Sequence, residues 1–172
     1  MNKNISFKYF TGLNEVATLI RKKVFIDEQC YIVDIDDEDK TATHFIEYYK
    51  NTPVGTCRII KKDNNSIKIG RFAILEEYRN KNLGKELLDE VEKYAKENNY
   101  KKIYLDAQFD KRGFYFKSGY KVLSDKLFLD ENYPHIHLYK DLWINRYRLI
   151  HNLMNQNYVS WLHQKYVRHV VI

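Results

Sequence analysis

The sequence is poor in cysteine, in long apolar runs and in anything repetitive, and each shortage removes a class of protein. Its two cysteines, Cys30 and Cys57, fall in different expected elements. They show neither the dense spacing of a secreted disulfide framework nor the clustering of a zinc site, so both read as free thiols. Cys57 reads as a small buried apolar residue rather than a nucleophile. No apolar run reaches the roughly 18 residues of a membrane helix. No charged-then-apolar leader is readable either, so cytoplasm is the simplest compartment. No internal repeat or low-complexity linker interrupts the chain. At 172 residues, 44% apolar and 30% charged, it has the composition of an ordinary soluble protein with enough apolar residues for a real core. The acidic cluster Asp34, Asp36, Asp37, Glu38 and Asp39 lacks the turn glycine and closing glutamate of a calcium loop. It reads as a solvated loop, one that would favour a cationic amine if it bordered a binding groove.

The net charge of +6 is unevenly placed. Residues 142–172 contain Arg146, Arg148, Lys165 and Arg168 and no acid. These basic residues alternate with Trp143, Tyr147, Tyr158, Trp161 and Tyr166, an interleaving that suits a stacking, phosphate-contacting surface. Trp143, Tyr147, Ile150 and Met154 also fall at helical spacing, which favours packing or a homodimer contact over nucleic acid. The chain is therefore read as a domain over 1–141 and a basic, aromatic, helical extension over 142–172.

Periodicity outlines the domain. Leu13, Val16, Ala17, Ile20 and Val24 make one helix face, with Thr11 or Asn14 as cap. Strands are expected at Phe45–Tyr49, Val54–Lys61 and Ile67–Leu75, joined by short turns and hence antiparallel. A helix from Leu83 to Asn98 precedes a strand at Lys102–Ala107, which makes the strands on either side of that helix parallel through a right-handed crossover. A short helix ending at Gly119 and strands near Tyr120–Leu129 and Ile136–Lys140 follow. The sum is an α+β (mixed α/β) fold whose mixed, mostly antiparallel sheet carries helices on both faces.

The segment Gly70–Leu88, GRFAILEEYRNKNLGKELL, carries the chemistry. Arg79, Asn80, Lys81, Asn82, Leu83 and Gly84 lie between the apolar run Phe72–Leu75 and the stripe Leu83, Leu87, Leu88, Val91, Tyr94 and Ala95. A helix starting there points unpaired N–H groups and its positive dipole end back at the turn. Gly84 admits close backbone approach, and Asn82 tolerates a positive φ, so successive amides can converge on an anion. Arg79, Lys81 and Lys85 add mobile charge.

This block resembles the acetyl-CoA pyrophosphate signature of the GNAT N-acetyltransferase superfamily, Arg/Gln-x-x-Gly-x-Gly/Ala, with Arg79 first, Gly84 last and Asn82 in place of the first glycine. The segments VFIDEQ (Val24–Gln29), GTCRI (Gly55–Ile59), LDAQ (Leu105–Gln108), FYFKSGY (Phe114–Tyr120) and PHI (Pro134–Ile136), with His44, resemble its ElaA-type branch over about residues 1–141. The resemblance implies direct acetyl transfer from acetyl-CoA to a primary amine in a ternary complex, without a metal. It implies that two adjacent parallel strands, Ile67–Leu75 and Lys102–Ala107, splay to admit the pantetheine arm. Backbone at Phe72, Ala73 and Ile74 would position the thioester, and residues 79–85 with Gln108 would complete the cofactor site. Tyr115 matches the family tyrosine four residues before the Gly119–Tyr120 pair and would protonate the leaving thiolate. Glu28 is placed first as general base, ahead of Asp106. His44 and His135 either orient the acceptor or tie down loops. The alternatives are a non-catalytic CoA-binding sensor or interaction module, and a nucleic-acid binder using the basic tail.

Overall fold

The structure, a computed structural model, describes residues 4–142, so the expected extension beyond Leu142 lies outside the described residues. The strands are β1 (Ile5–Thr11), β2 (Thr43–Tyr49), β3 (Thr52–Lys61), β4 (Ser66–Ile74), β5 (Lys102–Gln108), β6 (Lys121–Asp130) and β7 (Tyr133–Asp141). They form one sheet in the order β1-β2-β3-β4-β5-β7-β6. The β4–β5 pair is parallel, and every other pair is antiparallel. Helices α1 (Glu15–Arg21), α2 (Leu83–Glu97) and α3 (Arg112–Lys117) complete the α+β fold.

Consecutive residues of β2 show how the sheet is covered on both sides. Phe45 packs in a cluster with Leu87, Leu88, Val91 and Ala95 of α2, whereas Ile46 packs with Ala17 and Ile20 of α1. Side chains alternate along a strand, so the two helices cover opposite faces. Leu87, Leu88 and Val91 are completely buried. Each contributes about 1.5–3 kcal/mol by leaving water, which is why the apolar stripe decides where α2 sits. Asn14 caps α1, its side-chain oxygen accepting from the N–H of Val16 at 3.0 Å and of Ala17 at 3.2 Å. Leu13 stands outside that cap and is exposed.

Three features depart from the expected outline. Residues Lys22–Glu28 continue α1 as a π-helical segment rather than ending it. β1 was not expected, although Ile5, Phe7 and Tyr9 alternate with Ser6 and Lys8 as a strand's residues do; it is an edge strand whose side chains are partly buried or exposed. The acidic loop is not solvated throughout. Asp39 and Asp34 are buried, and the guanidinium of Arg21, itself 1% exposed, donates to both. Arg58 donates to Asp36 at 2.6 and 2.7 Å, and Arg71 Nε to the Asp34 carbonyl at 2.9 Å. Burial opposes ionisation of Asp39, yet the bonds from Arg21, the Asp36 N–H and Arg58 hold its carboxyl well below the usual range. The acids therefore fold inward as counter-ions to three arginines, the only affordable way to bury that many charges.

The sheet opens where the function is expected. β4 and β5 pair from Ser66 and Lys102 to Ile69 and Leu105, and no further. Beyond that rung β4 stays with β3 as far as Ile74, while β5 stays with β7 as far as Gln108. A bulge accompanies the split: Thr56 pairs with Ala73 and Arg58 with Gly70, so β4 spends one more residue than β3 across that interval. Arg71, within it, has a φ of 49°. Such an insertion re-aims the strand and increases its local twist.

Candidate active site

A cavity of about 880 Å³ occupies the split between β4 and β5. It reaches from the turn before α2, past the ends of β4 and β5, to the segment after α1 and the β6–β7 hairpin. The expected cofactor residues Phe72, Ala73, Ile74, Arg79, Asn80, Asn82, Leu83, Gly84, Lys85 and Gln108 line it, as do Tyr115 and Glu28. The remaining one, Lys81, does not.

The turn has the backbone that its sequence suggested. Asn82 is left-handed, with φ 64° and ψ 5°, and immediately precedes α2 without making a side-chain cap bond. Asn80, two residues earlier, is left-handed as well, at φ 59°. Left-handed asparagines leading into a free helix start give the N–H groups the freedom to converge on an anion. A Cβ at Gly84 would meet Ile74 Cγ1 and Phe114 Cζ at 3.6 Å, which is ordinary contact. This glycine is therefore not required by packing.

The cations of the turn all have partners within the chain. Arg79 Nη1 and Nη2 donate to the two carboxylate oxygens of Glu28 at 2.6 and 2.5 Å, and its Nε donates to the Ile74 carbonyl at 3.0 Å. Lys81 Nζ turns back to the Glu77 carbonyl at 2.7 Å and lies over the Tyr78 ring, while Lys85 pairs with Asp89. The Arg79–Glu28 pair joins the expected phosphate side to the expected acceptor side, a link between residues 51 positions apart that motif reading did not reveal.

Tyr115 stands at the cavity wall on α3. Its ring meets Phe72 at 6.2 Å, Phe114 at 4.9 Å and Tyr120 at 5.8 Å, all edge-on. Burial pushes its pKa above the usual tyrosine value, with Cys57 reinforcing the shift, so the phenol stays protonated through the neutral range. Cys57 is fully buried and its thiol is likewise pushed up by burial, an unreactive state.

On the far side, Gln108 Nε2 donates to Gln29 Oε1 at 2.8 Å and to Tyr31 Oη at 2.9 Å. Tyr133 Oη donates to the Gln29 carbonyl at 3.0 Å, and its ring lies 5.6 Å from that of Tyr31. His135, also lining the cavity, has Nδ1 2.8 Å from the Tyr133 carbonyl. His44 is buried beside Asp39, its Nε2 3.4 Å from that residue's carbonyl, and burial lowers its pKa. It lies among the arginine–aspartate pairs and does not line the cavity.

One cluster was not foreseen as a unit. Asp106, on the cavity wall, accepts from His137 Nδ1 at 2.6 Å and from Lys68 Nζ at 2.7 Å, while the His137 ring stacks on Phe128 at 4.5 Å. Burial raises the Asp106 pKa, but bonds from Lys68 and His137 outweigh it and keep the carboxylate ionised below its usual range. The signal in the sequence was the alternation of His135 and His137, two residues apart on one strand face.

A sheet split between two parallel strands, with an anion-ready turn opening a helix at its mouth, is the architecture of an acyltransferase. The chain belongs to the acetyltransferase (GNAT) family, whose model matches residues 12–120. A Bacillus subtilis protein described as an acetyltransferase is 38% identical over 122 residues, which are 68% of this chain and 82% of its own. Among solved structures, Escherichia coli ElaA superposes with a TM-score of 0.70 at 24% identity, over 79% of this chain and 99% of ElaA. A GNAT family acetyltransferase from Elizabethkingia anophelis, solved with acetyl-CoA bound, superposes at 0.65 and 18% identity over 82% of this chain and all of that one. Among the described residues no helix is long and apolar enough to cross a membrane.

Proposed function

We propose that the protein is an N-acetyltransferase that moves the acetyl group of acetyl-CoA directly to a primary amine, without an acyl-enzyme. One juxtaposition carries this reading: the split after Ile69 and Leu105, the left-handed turn at Asn80 and Asn82, and the buried Tyr115 all open on a single cavity. The amides of residues 80–84 would hold the pyrophosphate, and the edge of β4 at Phe72, Ala73 and Ile74 would pair with the pantetheine arm. Gln108 would close the arm off from the side of β5. Acetyl-CoA supplies the activated acyl group. This chain supplies orientation, an N–H of the β4 edge for the developing oxyanion, and a phenol to protonate the departing thiolate.

The acceptor would enter between the segment after α1 and the β6–β7 hairpin, against Tyr31, Tyr133 and the Glu28 carboxylate. Glu28 takes the amine proton in this scheme, directly or through one water.

Thermal unfolding and thiol release test the scheme together. Acetyl-CoA, and not a nucleic-acid oligomer, should raise the melting temperature, and a panel of amines should contain acceptors that drive thiol release. Stabilisation without thiol release across diamines, amino acids, aminoglycosides and peptide amino termini would point to a CoA-binding sensor. Salt-steep binding of nucleic acid would overturn the scheme.

A further inference from the structure

The three N–H edges of Arg79 are shared between two places. Its fork grips both oxygens of Glu28, and its Nε–H is tied to the carbonyl of Ile74, the last residue of β4. The second tie fixes the foot of the guanidinium at the edge where the pantetheine arm would lie. Only the fork is left to change partners.

Glu28 is placed to let go. It is the last residue of the π-helical segment, and after it the chain turns sharply at Cys30, whose φ is 57°. Among the described residues, both bonds of its carboxylate run to Arg79. Both partners are about one-third exposed and both line the cavity. The pair is thus neither sealed in the core nor free on the surface. The other side-chain cations of the turn do not compete for its role: Lys81 lies back over Tyr78, and Lys85 pairs with Asp89 one turn along α2. A diphosphate held by the amides of residues 80–84 would bring negative charge beside a fork already filled by a carboxylate. Two anions at one guanidinium repel, and the anion with more oxygens and more charge holds the fork.

We propose that Arg79 is a positioning residue with two partners: it holds the Glu28 carboxylate in the free protein and gives it up to the cofactor diphosphate, so that the acceptor side is completed only after the cofactor has bound. This rests on the assignment of the amides of residues 80–84 to the pyrophosphate. It makes Glu28 a competitor of the cofactor before it is a base, and it orders the two substrates.

The test is isothermal titration of acetyl-CoA and of S-acetylpantetheine, which has the same arm without the diphosphate, into wild type, Glu28→Gln, Arg79→Ala and the double variant. Thermal unfolding of each variant confirms that it is folded. Glu28→Gln should tighten acetyl-CoA at least threefold and leave S-acetylpantetheine unchanged, since the amide is a weaker rival for the fork. Arg79→Ala should weaken acetyl-CoA, and in that background Glu28→Gln should have no effect. A merely structural ion pair would make Glu28→Gln weaken both ligands alike, and that result overturns the proposal. Unchanged acetyl-CoA affinity in Glu28→Gln also overturns it, while the cofactor assignment stands. Failure of acetyl-CoA to bind wild type overturns both.

Discussion

Ile69 faces Leu105 across the last rung of the parallel ladder, and past that rung β4 and β5 each keep only their outer neighbour. Apart from the Ile74 carbonyl, which accepts from Arg79, the backbone of residues 70–74 on the side of β5 is thereby left for a ligand. Unpaired strand edges are costly inside a protein, and a cavity-lining edge is a template for an added extended chain. Acetyl-CoA should slow amide hydrogen exchange within residues 72–74 and leave the 66–69 rungs unchanged. Equal exchange with and without cofactor would remove the pantetheine from this edge.

Tyr115 and Cys57 separate two mechanisms. A phenol held protonated by burial suits a proton donor, and a fully buried thiol suits no covalent step. Tyr115→Phe should lower kcat by about 10²-fold, within the range for loss of one general acid, with little change in the acetyl-CoA dissociation constant. Cys57→Ser should retain turnover once its stability is matched. Undiminished kcat in Tyr115→Phe across the pH range would take the acid role away from it.

Asn82 tests the turn itself. A left-handed non-glycine residue costs roughly 1 kcal/mol, less for asparagine than for residues with bulkier side chains. Asn82→Gly should keep both the melting temperature and acetyl-CoA affinity. Asn82→Val, whose branched side chain resists that φ, should lower both. If valine is tolerated in calorimetry and unfolding alike, the left-handed geometry does no work in binding.

What could be read from the chain and what could not divide along range. The strands β4 and β5, the helix after the turn and the positive φ of Asn82 follow from alternation, a 3.6-residue stripe and the tolerance of one side chain, all local properties, whereas the splaying of those strands was implied only by the family resemblance. The failures are long-range. β1 is the exception, since Ile5, Phe7 and Tyr9 alternate with Ser6 and Lys8 and announce a strand locally. Asp34, Asp36 and Asp39 look solvated until Arg21, Arg58 and Arg71 arrive from other elements. Glu28 and Asp106 were each readable as bases, but their partners Arg79 and His137 are set by topology rather than spacing. Charges cannot be assigned to roles until the fold has paired them.

Glu47 supplies a pH test of that principle. It is fully buried on β2, neither carboxylate oxygen has a hydrogen-bond partner among the described residues, and burial together with Glu86 pushes its pKa up to about 8. The unfolded chain releases this proton near the ordinary value of 4.5. The folded state therefore binds the extra proton between these limits, and the stability contributed by the neutral acid is lost as pH rises from about 4.5 through about 8. Asp36, Asp39 and Asp106 act with the opposite sign, since their pKa values are lowered in the fold and their contribution disappears as pH falls below the ordinary aspartate range. Glu47→Gln keeps the shape and removes the titration. It should resemble wild type in melting temperature at pH 5 and exceed it increasingly towards pH 8, by roughly 2–4 °C for each kcal/mol of relief. A difference between the two proteins that stays constant across that interval would mean that Glu47 is ionised in the fold throughout.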